Sequence, residues 1–158
     1  MRLPVNYLKV GTNQLPDGRA IDVNCKNNPG LAKIFRIGVK PCYCCGSKPS
    51  HILITDIDLD RHPDAKCSVT AQLIFKNGYS GTVDHIKPRS KGGKNDKGNY
   101  ELMCSRCNFI KQDHIFSSMF DLRLYVLGNR LLRHLGMNWT WHELLAHLRH
   151  QYKWTAVL

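Results

Sequence analysis

Asp84-His85-Ile86-Lys87-Pro88-Arg89-Ser90-Lys91-Gly92-Gly93, followed by Asn99 and by Cys104-Ser105-Arg106-Cys107-Asn108-Phe109-Ile110-Lys111, is the stretch that decides the fold. A carboxylate and an imidazole stand side by side at the end of an apolar strand. A basic, glycine-rich loop comes next, and then a Cys-x2-Cys pair with Asn108 directly after it. Upstream, Cys42 and Cys45 form a second Cys-x2-Cys pair, followed by Gly46, and Cys45 lies 59 residues before Cys104. Seven cysteines are an odd number for a disulfide framework, and paired knuckle spacings in a chain without an export signal favour a metal. Cys44 falls inside the first pair, but Cys-x-Cys and adjacent cysteines make poor knuckles. We read Cys44, Cys25 and Cys67 as free thiols.

The chain has 158 residues, 42% of them hydrophobic, which suits one domain or a small core with helical additions. No apolar run approaches the roughly 18 residues of a membrane span. Met1-Arg2-Leu3-Pro4-Val5-Asn6 has no apolar signal core, so a cytoplasmic protein is expected. The formal net charge of +11 points to a polyanionic partner, most often nucleic acid. Residues 1–41 carry seven basic side chains against two acidic, residues 84–114 seven against four, and residues 115–158 five against two. Residues 42–83 are balanced at four of each, so the positive charge flanks the motif and fills its loop.

Residues 1–30 are rich in Asn, Pro and Gly and read as mostly irregular, or as short strands. Leu31–Val39 is a short helix or a strand; the pattern leaves both open. Residues 51–60 alternate from Asp56 onward, as a strand does, and residues 68–76 read as a second strand. Asn77-Gly78 is a turn signal, and Tyr79–Ile86 is expected to return as a third strand. Residues 46–83 would then be an antiparallel insertion. Cys104 to about Asp113 is expected to be helical. Met119, Leu122, Tyr125, Val126, Leu131, Leu132 and Leu135 recur at helical spacing, with Gly128 a possible interruption and Gly136 the stop. Thr140-Trp141-His142-Glu143 is a capping box, with Trp139 and Leu144 as its staple, opening a last helix over about 141–152.

Five elements, namely the Asp84-His85 pair, the basic Gly-rich loop, Asn99, the two cysteine knuckles and Asn108, occur in an order that resembles the HNH endonuclease family over roughly residues 40–114. The resemblance implies an α+β fold: a small ββα-metal core stapled by a four-cysteine zinc site, carrying the antiparallel insertion and a helical C-terminal region. The units would be a basic arm (1–41), the nuclease core (42–114) and a helical extension (115–158). It implies that Cys42, Cys45, Cys104 and Cys107 hold structural Zn²⁺. His85 would be the general base that activates water, a task suited to imidazole near neutral pH. Asp84 and Asn108 would hold one catalytic Mg²⁺ or Mn²⁺, since a carboxylate and an amide oxygen make a hard site. Asn99 would orient the loop by bonding the backbone carbonyl of His85.

Lys111, at the lysine of the family's C-N-x-x-K pattern, is a candidate phosphate contact, as are Lys87, Arg89, Lys91 and Lys94 in the loop. DNA would be the partner, and the products would carry 5′-phosphate and 3′-hydroxyl ends. A phage-encoded or homing nuclease is the expected type, and a restriction-type enzyme, an RNA-directed nuclease and a catalytically silent DNA-binding module are the rivals. Monomer and dimer stay open. His114 is the alternative ligand to Asn108. Asp56, Asp58 and Asp60 read as a solvent face, and His134, His142, His147 and His150 as surface or phosphate-facing. Trp139, Trp141 and Trp154 read as core or staple residues.

Overall fold

The computed structural model describes residues 1–24, 26–57 and 68–152. Cys25, Cys67, Asp58, Asp60 and Trp154 lie outside the described residues.

The Asn77-Gly78 turn forms as expected, with the Gly78 N–H donating to Phe75 O at 2.9 Å. The strand that leaves it does not return on its predecessor. Beyond one bridge between Ile74 and Ser80, strand β6 (Gly81–His85) separates from β5 (Val69–Phe75). It pairs instead with β7 (Tyr100–Cys104), antiparallel, from Gly81 opposite Cys104 to His85 opposite Tyr100. Leu102, Met103 and Cys104 are buried on β7, and so a strand occupies the residues just before the second knuckle. Helix α2 follows at Ser105–Lys111, shorter at both ends than the sequence suggested. The β6–loop–β7–α2 unit is the ββα motif.

The second sheet explains why β6 is free to leave. Strand β4 (Pro49–Asp56) pairs antiparallel with β5, and its other edge takes β1 (Arg2–Leu3) from the chain's start. The sheet order is β1-β4-β5. Ile52, Ile54, Leu73 and Phe75 bury one face of it.

In the N-terminal arm the short-strand alternative holds, and of helix and strand the segment near Leu31 takes the helix. Strands β2 (Gly11–Gln14) and β3 (Ala20–Val23) form a hairpin, and helix α1 runs Pro29–Ile37. Proline at the helix start costs nothing, because the first amides have no intrahelical partner. Asn28 precedes it, 3% exposed, with Nδ2 donating to Asp22 O and Oδ1 accepting from the Ala71 N–H. One buried amide thus ties the hairpin, α1 and β5 together. Leu31, Ala32 and Ile34 pack α1 against β5, β6 and β7.

Helix α3 (Met119–His134) continues through Gly128. A side chain there would collide with the Trp141 ring, with a Cβ only 2.1 Å from it. The glycine therefore makes room for α4 (Trp141–Tyr152) and does not break the helix. At the far end Gly136, at φ +70°, lets its own N–H reach Arg133 O and the Met137 N–H reach Leu132 O, a Schellman stop. The capping box forms, with Glu143 accepting from the Thr140 N–H and Thr140 Oγ1 from the Glu143 N–H. Trp139 lays its ring against His147 at 4.9 Å. Asp56 is exposed and pairs with Arg19. Among the described residues no helix is long and apolar enough to cross a membrane.

Candidate active site and metal centre

The β6–β7 hairpin has two chemically different ends. At the Gly81–Cys104 end the two knuckles meet. The Sγ atoms of Cys42, Cys45, Cys104 and Cys107 all lie within 4.8 Å of one another, and Cys45 and Cys104 are 3.9 Å apart. A tetrahedral ion with metal–sulfur bonds of about 2.3 Å needs sulfur–sulfur edges of about 3.8 Å. The donor set therefore fits a tetrahedral metal ion.

Amide donors point at some of these sulfurs. The Cys104 N–H donates to Cys42 Sγ at 3.3 Å, and Asn77 Nδ2 reaches Cys104 and Cys45 at 3.5 and 3.7 Å. Asn77 was legible only as a turn residue. Hydrogen bonds from Cys104 and Cys107 draw the Cys42 thiol far below its ordinary range, and bonds to Cys104, Cys42 and Cys44 drive Cys107 far above its own. Burial pushes Cys45 up to about 11. Four thiols this close cannot all ionise unless a cation sits among them. Cys44 is buried at 3% exposure beside Cys107, outside the four-sulfur set.

At the other end the strand stops at His85. Neighbouring strand residues face opposite ways, and the contacts follow that rule. Thr82 and Asp84 face α2. Asn108 Nδ2 donates to Thr82 Oγ1 at 3.1 Å, and the Lys111 ammonium lies 2.8 Å from Asp84 Oδ2. Asp84, Asn108 and Lys111 thus share one face. Asp84 and Lys111, with Glu101, Tyr43 and Ser117, line a cavity of about 220 Å³, and Asn108 stands outside its wall. Glu101 stands directly opposite Asp84, and like charges so placed repel. Each has its own cation: Lys111 for Asp84, and Lys40, at 2.6 Å, for Glu101.

Lys111 is 3% exposed, and its Nζ also donates to His85 O at 2.9 Å. This corrects its reading as a phosphate contact. This ammonium is engaged inside the fold by a carboxylate and a carbonyl and is not displayed at the surface.

His85 faces the loop. Its Nε2 lies 2.8 Å from Asn95 Oδ1, and its ring meets Tyr100 edge-on at 4.9 Å. Asn99 clamps the same loop, but through other atoms than expected. Its Oδ1 accepts from the Lys87 N–H at 2.8 Å, and its Nδ2 donates to Lys87 O and Lys94 O, both at 2.9 Å. The His85 carbonyl goes to Lys111, so the Asn99 bond falls two residues further along. Gly93 permits the fold-back, since a Cβ there would sit 1.8 Å from Lys87 O. Lys87, Arg89, Lys91 and Lys94 are exposed around this loop, with Lys91 3.7 Å from Asp113. His114 meets the Tyr125 ring at a tilt and the His142 ring edge-on. Asn95, Thr82 and Tyr100 belong to no motif pattern and were not legible in advance.

Residues 67–114 match the model of the HNH endonuclease family. The matched segment is similar to an HNH endonuclease domain. No curated protein and no solved structure matches the chain. The matched segment covers β5, β6, the loop, β7 and α2, and it ends at His114. Cys42 and Cys45 of the first knuckle lie outside the matched segment. Members of the family are generally metal-dependent nucleases. The Asp84 carboxylate and the Asn108 amide oxygen, both on the α2-facing side of β6, are donors of the kind a hard divalent cation takes.

Proposed function

We propose that the protein is a metal-dependent endonuclease that hydrolyses DNA phosphodiester bonds. The observation that carries the reading is the placement of Asp84 and Asn108 on one face of the ββα unit, with His85 ending the same strand. His85 takes a proton from the attacking water. Asp84 and Asn108 hold one Mg²⁺ or Mn²⁺. Such an ion supplies charge neutralisation at the phosphate and at the leaving 3′ oxygen. Cleavage on that side leaves 5′-phosphate and 3′-hydroxyl ends.

Asn99 acts on the loop and not on the substrate. The four cysteines hold Zn²⁺, which the soft, closed, tetrahedral sulfur set suits. The exposed Lys87, Arg89, Lys91 and Lys94 contact DNA phosphates beside His85. The arm, core and helical extension work as one unit in the cytoplasm of a bacterial or phage-infected cell. A phage-encoded or homing role fits a single compact nuclease of this kind.

Supercoiled plasmid with Mg²⁺ or Mn²⁺ tests the reading. Nicked or linear product with ligatable ends supports it. Intact plasmid under both ions refutes catalysis and leaves a DNA-binding module. Cleavage of RNA in preference to DNA refutes the substrate.

A further inference from the structure

We infer that Asn95 is a positioning residue for His85, setting which ring nitrogen is free to take a proton. The inference rests on the nuclease reading for its consequence, and on the geometry for its substance. An amide oxygen only accepts hydrogen bonds. Asn95 Oδ1, 2.8 Å from His85 Nε2, therefore requires a hydrogen on Nε2. In a neutral imidazole that leaves Nδ1 bare. No described residue bonds Nδ1, so the unprotonated nitrogen is the one available to a water. Tyr100 Oη also donates to the same Oδ1, at 3.4 Å, so two donors converge on it. The Tyr100 ring, edge-on to the imidazole, limits rotation of the ring itself.

The loop holds Asn95 from both sides. The residue before it, Lys94, gives its carbonyl to Asn99 Nδ2 at 2.9 Å. The residue after it, Asp96, accepts from the Asn99 N–H at 3.1 Å through Oδ1. Asn99 is itself anchored to Lys87, two residues past His85. A closed path runs from His85 through Lys87, Asn99 and Asn95 back to the His85 ring. On this path the glycine-rich loop has a task besides contacting phosphate: it carries an amide oxygen to the histidine.

The test uses the full chain labelled with ¹⁵N-histidine and the variants Asn95→Ala and Asn95→Asp. Asn95 is exposed, so both variants are expected to fold, and melting curves check this. In the wild type the His85 Nε2–H proton gives a direct NMR signal, because a bonded N–H is shielded from exchange with water. Asn95→Ala removes that signal; Asn95→Asp, which keeps an acceptor oxygen in place, retains it. In plasmid cleavage Asn95→Ala lowers kcat about 10- to 100-fold, the usual scale for losing a histidine's orienting partner, with KM unchanged. Asn95→Asp restores most of the rate. A wild-type His85 with no Nε2–H signal overturns the inference, as does Asn95→Ala with wild-type kcat. If the wild type cleaves nothing, the nuclease reading fails, while the NMR result still decides whether Asn95 sets the His85 tautomer.

Discussion

The two ends of the β6–β7 hairpin are about five residues apart along each strand and differ in nearly every physical property. The Cys104 end is closed. Its donors are sulfur, three of its four cysteines are buried, and amide N–H groups from Cys104 and Asn77 point at them. The His85 end is open. Its donors are oxygen and nitrogen, its loop is exposed, and the buried charge beneath it is balanced by one lysine. One end suits a permanent structural ion, and the other an exchangeable ion and a substrate. The hairpin transmits the rigidity of the first to the second, because the strand that begins against the knuckles ends at the imidazole.

The comparison predicts unequal responses to mutation. The largest belongs to the closed end. Structural zinc contributes on the order of 10 kcal/mol to folding in small domains. Cys104→Ser should abolish both bound metal and the cooperative melt, read by elemental analysis and calorimetry. A folded, metal-free Cys104→Ser protein would show that the cluster is not structural.

At the open end His85→Ala should lower cleavage by about 10² to 10⁴, the range for a lost general base, with the melting temperature and DNA binding preserved. Wild-type turnover in that variant would remove His85 from the reaction.

Lys111, buried beneath the His85 end, sharpens the contrast. Lys111→Met strands the Asp84 carboxylate, whose side chain is 14% exposed, and breaking a buried pair from one side costs about 3–5 kcal/mol. Urea denaturation measures this. Added Mn²⁺ should recover part of the loss in Lys111→Met, and none in the Lys111→Met, Asp84→Ala double variant. Equal stability of Lys111→Met and wild type would mean that the ion pair is not formed.

The smallest effect concerns the exposed lysines. DNA affinity should fall with salt at a log–log slope of about −0.9 per phosphate contacted. Charge reversal at Lys91 and Lys94 should flatten that slope by about one to two units on the same relation, whereas reversal at Lys48, in the charge-balanced segment, should not. A slope moved equally by Lys48 would take the DNA away from the loop.

Asp84-His85, Asn99, the knuckles and Asn108 were legible because each is a residue type with few alternatives at a fixed spacing. The helical C-terminal region and its capping box were legible for the same local reason. The partner of β6 was not. Asn77-Gly78 signals a hairpin, and a turn signal says nothing about how far the pairing runs. Strand β7 was hidden because Tyr100–Cys104 is only five residues long and runs directly into a helix. For Leu31–Val39 helix and strand were both open, and burial of Leu31, Ala32 and Ile34, a tertiary effect, decides for helix α1.

The sequence by itself determined the kinds of chemistry present: four sulfurs in two pairs, a carboxylate beside an imidazole, and a basic loop. Residue type and short spacing carry that information, and neither depends on the rest of the fold. Tertiary structure alone decided what each group faces. Lys111 reads as a surface cation and is buried against Asp84. Asn99 reads as bonding the His85 carbonyl and clamps Lys87 instead. Asn95 carries no motif and meets the imidazole. Those outcomes turn on where α2 and the loop fold over β6. Packing sets such contacts, and the neighbours that compete for each donor and acceptor come from distant parts of the chain.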